Sequence, residues 1–427
     1  MLQVVNVGHK SLSDYATIAT RGLMDEIRRL ADPLAGKRVV HLSATAFGGG
    51  VAEINYTLVP LMRDAGLETD WRIIFGRDEF FDVTKRIHNA LQGDPIGLTS
   101  EQRATFHRYN ALNAESFEDD YDFVIVHDPQ PAAMIDHFPG STAHWIWRCH
   151  IDLSTPNAEV LDFLLPSISK HDAAIFHRQE YVPRAEGMPP AHIWPPAIDP
   201  LAPKNMALSP EDAAYIVDQF GIDTTRPLLT QVSRFDPWKD PLGVIDAYRT
   251  VRERHPGTQL ALVGSMAHDD PEGWDYYNRT VEHAGGDADI HILSNLNNVG
   301  SVEVNAFQVH SAASVQKSIK EGFGLTVTEA LWKSRPTVAG RVGGIVAQIQ
   351  DGETGWLVDS SAECAAACIE ILDEPARARE RALRGKEFVR RNFLTPRLLR
   401  DWLVLFNELA GNDAGVEART AAAHAAP

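Results

Sequence analysis

Three cysteines in 427 residues, Cys149, Cys364 and Cys368, are too few and too irregularly spaced for a disulfide framework or a zinc cage. Cys364 and Cys368 stand one helical turn apart in an alanine-rich stretch and read as packing thiols. No apolar run approaches the ~20 residues that a membrane-spanning helix needs. Nor does the N-terminus show a basic start, an apolar core and a cleavage site, so a cytoplasmic protein without membrane contact is the expectation. Basic residues are also in deficit: 40 Lys and Arg against 58 Asp and Glu give a formal net charge of −18. That balance argues against holding nucleic acid or anionic membrane by bulk electrostatics, and any phosphate site must be local. No convincing D-x-D metal loop is present; Asp269-Asp270 reads as an acidic turn.

The composition, 44% hydrophobic and 23% charged, is that of an ordinary globular protein. The length suits two domains, taking roughly 150 residues per domain as a guide. Residues 11–34 form a mostly helical lead-in, with Ile18, Leu23, Ile27 and Leu30 at near-helical spacing. Short apolar runs at 38–42, 69–75, 123–127, 144–148 and 173–176 then read as strands with helical segments between them. Such alternation predicts a doubly wound α/β sheet that meets ligands at the carboxyl ends of its strands.

The loop SATAFGGG joins the first of these strands to a helix over 51–65, so Gly48, Gly49 and Gly50 are placed to offer backbone amides to a ligand. Its spacing is neither G-x-G-x-x-G nor that of a P-loop, and a tight turn without a ligand gives the same pattern. His127-Asp128 closes one strand, and Arg148, His150 and Asp152 close another. Sugars need dense hydrogen bonding, and a histidine beside carboxylates supplies donor and acceptor together. A histidine serving a core backbone group is the plainer alternative.

The proline-rich stretch from His192 to Lys204 reads as a stiff connector. A helix over 209–220 precedes a second alternation, with strands at 228–232, 259–263, 290–293, 314–316, 337–339 and 356–358, and helical chain over 360–410. Arg234 and Lys239 lie five residues apart on the loop after the strand at 228–232, where Pro237 and Pro241 hold its shape. Two cations on a stiff loop suit a diphosphate, although most basic residues only face solvent. The stretch QKSIKEGFGLTVTEALWK runs from strand to helix through Gly322, Phe323, Gly324 and Leu325, a loop able to aim amides at an anion. Glu321 and Glu329 stand eight residues apart there, one in the loop and one in the helix. They suit different parts of one elongated ligand such as a nucleotide sugar, or else a dipole partner and a solvated face.

Together the Glu321-x7-Glu329 segment, the Arg234 and Lys239 loop, the Gly48–Gly50 loop and the His150 strand end resemble the retaining two-domain glycosyltransferases that include sucrose and glycogen synthases. The stretches HLSATAFGGGVAEINYTLVPLMRDAGL, HWIWRCHID, SRFDPWKDP and QKSIKEGFGLTVTEALWKSRPTVAGRVGGI bring the chain nearer to the trehalose-forming glycosyltransferases and the retaining trehalose phosphorylases. The resemblance implies two facing Rossmann-like domains of GT-B type with the active site in their cleft. The acceptor-side domain would be residues 1–196, joined by a helix over 395–410. Residues 197–394 would bind the nucleotide sugar, and 411–427 would be a disordered tail.

The resemblance also implies roles. Arg234, Lys239 and the amides of Gly322 to Leu325 would hold a diphosphate, Glu329 the ribose, Glu321 and His150 the transferred glucose, and Asp152 with Arg148 the acceptor. It implies a nucleoside diphosphate glucose donor, a glucose acceptor and a homodimer. No cofactor would be required, with Mg2+ only a stimulant. A phosphorylase using glucose 1-phosphate and a sensor that binds nucleotide sugar without turnover are the alternatives.

Overall fold

The computed structural model describes residues 2–47, 49–266 and 271–413. Gly48, Asp269, Asp270 and the tail from residue 414 lie outside them. Two compact units divide the chain: Met1–Ala197 with the chain from Thr395 onward, and Ile198–Leu394.

Among the described residues the first unit holds a seven-stranded sheet. Its strands are β1 (Gln3–Val4), β2 (Arg38–Ser43), β3 (Glu68–Ile73), β4 (Phe123–His127), β5 (His144–Arg148), β6 (Ala173–Phe176) and β7 (Ala191–Ile193), in the order β1-β3-β2-β4-β5-β6-β7. All pairs are parallel except β1 with β3. The central strands are largely apolar because both faces are covered, as parallel sheets require. On one face α3 (Asp78–Leu91), α4 (Ser100–Glu115) and α5 (Ala158–Ile168) bring Phe80, Ile87, Phe106 and Leu164 against Val40, Val124 and Trp147. On the other, α1 (Arg21–Ala31), α2 (Gly49–Asp64) and the returning C-terminal helix bring Ile27, Leu58, Trp402 and Phe406 against Val39, Phe123 and Ile125. Phe123 and Phe406 stack with ring centroids 4.3 Å apart.

Two strands escape the sequence pattern. β1 is a two-residue antiparallel edge. β7 takes Ala191 to Ile193, which the sequence assigns in part to a connector, into parallel pairing with β6. The prolines follow, where Arg397 donates to the carbonyls of Pro195 and Pro196 at 2.8 and 3.2 Å.

The second unit is built around β8 (Leu228–Val232), β9 (Gln259–Val263), β10 (Ile290–Leu293), β11 (Ala313–Gln316), β12 (Thr337–Gly340) and β13 (Trp356–Val358), ordered β10-β9-β8-β11-β12-β13. Every pairing is parallel. Its helices are α6 (Pro210–Asp218), α7 (Pro241–Arg254), α8 (Pro271–Ala284), α9 (Ser301–His310), α10 (Leu325–Trp332), α11 (Ser361–Asp373) and α12 (Pro375–Asn392). α13 (Thr395–Leu409) belongs to the first unit. The order reverses between β8 and β11, so their carboxyl ends form the crevice where such sheets bind ligands. Among the described residues no helix is long and apolar enough to cross a membrane.

Candidate functional site

In the second unit the loop after β8 is fixed by its own side chains. Asp236 accepts from the amide of Trp238 at 2.7 Å and opens a 3-10 turn over Pro237–Lys239. Asp240, at φ 51°, caps α7 through Gly243 at 3.1 Å and pairs with the buried Lys317. Gln231 donates to the Lys239 carbonyl at 2.7 Å. Thus held, Lys239 brings Nζ to 2.5 Å from Glu321 Oε2, which also accepts from Ser318 Oγ at 3.3 Å. Side chains only 17% and 11% exposed make this an enclosed pair rather than a surface one. The Ile319 amide donates to Trp238 O at 2.8 Å and joins the two loops. Arg234 is different: its side chain is 64% exposed and rests 3.3 Å from Asp236.

The start of α10 depends on glycine in two places. Gly324 has φ 83°, and a Cβ there would stand 3.1 Å from Glu321 Cγ. Gly344 donates to Gly322 O at 3.0 Å, and a Cβ on it would lie 2.6 Å from that oxygen. Phe323 is buried against Phe393 with ring centroids at 5.8 Å. Gly322, Gly324 and Leu325 remain half-buried around the start of α10, where the helix dipole favours an anion.

Glu329, placed at a ribose by resemblance, has no exposed surface; Lys204 Nζ lies 3.0 Å from its Oε1. Gln308 is 3.5 Å from its Oε2 and receives Lys333 Nζ at 2.7 Å. Burial pushes the Lys333 ammonium down to about 7. Lys204, Lys317 and Lys333 are thus part of this region, and none was singled out in the sequence. Only contacts across the fold separate them from ordinary surface lysines.

In the first unit His150 stands half-buried past the end of β5, its amide donating to Asp128 Oδ1 at 2.7 Å. Burial raises the Asp128 carboxyl to about 7. Asp152 is half-buried and accepts from the Ser154 amide at 2.9 Å. Gly49, at φ 79°, opens α2 with nothing within 4 Å of where its Cβ would be, and Gly50 follows it in the helix; Gly48 lies outside the described residues.

Arg148 corrects the sequence expectation. It is 3% exposed and donates to the carbonyls of Phe176 and Trp194 at 3.4 and 3.1 Å, so it serves the main chain rather than an acceptor sugar. Burial, then the charge of Arg397, lowers it to about 9. Two further histidines sit behind His150. His127 Nδ1 is 3.0 Å from His150 Nε2, and His41 Nδ1 is 2.9 Å from His127 Nε2. Among the described residues no group of three or more His, Cys, Asp or Glu is placed to hold a metal ion.

Comparison with known proteins gives the family. Residues 41–183 match the family described as trehalose synthase, N-terminal domain, and residues 214–388 match glycosyl transferases group 1. The chain is 60% identical over 417 residues to a trehalose synthase of Rubrobacter xylanophilus, covering 96% of this chain and 100% of that one. It is 46% identical to a trehalose synthase of Pyrococcus horikoshii, with 95% and 98% covered. A trehalose phosphorylase of Pleurotus pulmonarius is 28% identical over 81% of this chain and 54% of its own. In fold the chain resembles a structure described as trehalose-6-phosphate from E. coli bound with UDP-2-fluoro glucose (TM-score 0.69, 16% identity, 87% and 98% covered). The chain therefore belongs to the trehalose synthase family of retaining glycosyltransferases, enzymes of the GT-B architecture with two Rossmann-like domains.

Proposed function

We propose that this enzyme moves glucose from a nucleoside diphosphate glucose, ADP- or UDP-glucose, to free glucose, making trehalose with retention at the donor carbon. The observation that carries the reading is the enclosed Lys239–Glu321 pair, 2.5 Å apart beside the first amides of α10. Breaking the bond from sugar to diphosphate puts negative charge on the leaving oxygen and oxocarbenium character on the ring. Lys239, Arg234 and the amides of Gly322 to Leu325 stabilise the former, and one such preorganised donor contributes about 3 kcal/mol. Glu321 and His150 hold the hydroxyls of the transferred glucose, and Asp152 meets the acceptor. The acceptor hydroxyl attacks from the face the diphosphate leaves and gives its proton to a phosphate oxygen, so configuration is kept without an enzyme-bound sugar. The two cations and the amides supply the charge this step needs, which leaves Mg2+ only a stimulant's part.

One observation favours a phosphorylase instead. Lys204 occupies the carboxylate of Glu329, and a donor without ribose has no use for that residue. In favour of the nucleotide, the fold neighbour from E. coli is bound with UDP-2-fluoro glucose. Incubation with glucose and, separately, ADP-glucose, UDP-glucose or glucose 1-phosphate decides between them, with trehalose followed by chromatography. Trehalose from a nucleotide donor and none from glucose 1-phosphate is expected. The reverse result establishes the phosphorylase, and tight nucleotide-sugar binding without product establishes a sensor.

A further inference from the structure

Three histidines of the first unit form one hydrogen-bonded line across three adjacent strands. Register pairs His41 of β2 with Ile125 of β4, and His127, two residues further on, with Arg148 of β5. His150 comes two residues after that. Register partners share a sheet face, and so do residues two apart in one strand, so the three rings climb one face diagonally. The ring planes are near-parallel, His41 to His127 at 21° and His127 to His150 at 18°, each pair meeting edge to edge with centroids 5.2 Å apart.

Each link joins the Nδ1 of one ring to the Nε2 of the next, at 2.9 and 3.0 Å. Two neutral imidazoles can share a hydrogen bond only if one donates and the other accepts, so one choice of tautomer propagates through the line. The choice is made at the buried end. His41 has no exposed surface, and its Nε2 has no hydrogen-bond partner. A stranded buried N–H is the rarer and costlier way to leave such an atom, which puts the proton of His41 on Nδ1. The Trp402 ring stands edge-on to His41 at a centroid distance of 6.0 Å, and an N–H pointed at a ring is a second-order attraction that does not reverse this. His41 then donates to His127 Nε2, His127 carries its proton on Nδ1 and donates to His150 Nε2, and His150 is left with its proton on Nδ1.

We propose that His41 and His127 are positioning residues that lock His150 in the Nδ1–H form, so that it meets the transferred sugar as a hydrogen-bond donor. The role at the sugar rests on the function proposed above; the tautomer does not. Burial holds His41 and His127 below the usual histidine range, and neighbouring Arg148 adds to this for His127, so the line stays neutral near pH 7.

The test uses the full chain labelled with 15N in the histidine rings, read by long-range 15N–1H correlation at pH 7.5 without substrate. His41, His127 and His150 are each expected to carry the proton on Nδ1. His127→Leu, which removes the donor to Nε2 of the half-buried His150, should turn His150 into a tautomer mixture and lower kcat roughly five- to tenfold, with KM for the donor unchanged. His127→Asn, whose amide can donate from the place of Nδ1, should restore the single tautomer and most of kcat. A proton on His150 Nε2 in the wild type, an imidazolium at pH 7.5, or an unchanged His150 tautomer in His127→Leu would each overturn the proposal. Should His127→Leu not fold, the wild-type spectrum decides alone. Failure to make trehalose would count against the reaction and leave the tautomer result standing.

Discussion

At the scale of single residues, the two cations of the β8 loop are not equivalent. Lys239 has its main chain held by Gln231 and its ammonium against Glu321, whereas Arg234 lies largely in solvent against Asp236. A group already fixed in place loses little freedom when charge develops beside it, so Lys239 is the one to remove. Lys239→Ala should lower kcat about 100- to 1,000-fold while the far-ultraviolet circular dichroism stays as it was. A loss of less than ~3-fold would mean that the pair with Glu321 is structural and that the leaving group is met elsewhere.

At the scale of elements, the strands were legible where the physics leaves one option. A parallel strand covered on both faces is mostly apolar, and β4, β5, β6, β8, β9, β10 and β13 stand in the sequence at their structural bounds. β1 and β7 were not legible, because two or three residues at a sheet edge carry no period. The glycine loop before α10 and the Lys239 loop could be read from spacing. The line of histidines could not, because it depends on register between strands far apart in the chain. Arg148 misled for a related reason: a charged residue at a strand end suggests a ligand, and only the fold shows two main-chain carbonyls taking its donors. The α10 loop gives a prediction at this scale. Gly344→Ala would force a methyl to within 2.6 Å of Gly322 O and shift the loop carrying the first amides of the helix. Since misplacing such groups by ~1 Å costs on the order of 100-fold, kcat/KM should fall by that order, with a destabilisation of about 1–3 kcal/mol in denaturant melts. Wild-type kinetics would show that these amides do not touch the substrate.

At the scale of the whole molecule, the first unit stores an acid sensitivity. His41, His127, His171 and His177 are buried, and burial lowers each below the value of 6.5 that the unfolded chain keeps, to about 3 for His41 and about 4 for His171. Below pH 6.5 the unfolded chain binds protons that the native protein refuses, so stability falls as the pH falls. Asp128 works the other way. Raised from 3.8 to about 7, it binds a proton in the native state between those values and favours the fold as the pH falls. Each histidine loses about 2 kcal/mol between pH 7 and 5 and Asp128 returns about as much once. The thermal midpoint should therefore drop by roughly 10 °C or more over that interval in scanning calorimetry. A midpoint that is flat or rises on acidification would mean that these rings take up protons in the folded protein.

The return of α13 to the first unit also orders events during synthesis. Trp402 and Phe406 complete a core whose other half, Ile27, Phe123 and Ile125, leaves the ribosome some three hundred residues earlier in a chain of 427. The second unit, whose residues run from Ile198 to Leu394, is whole before that helix is made. The part translated first is thus the part that finishes last, and its open sheet face must be kept from wrong partners in the meantime.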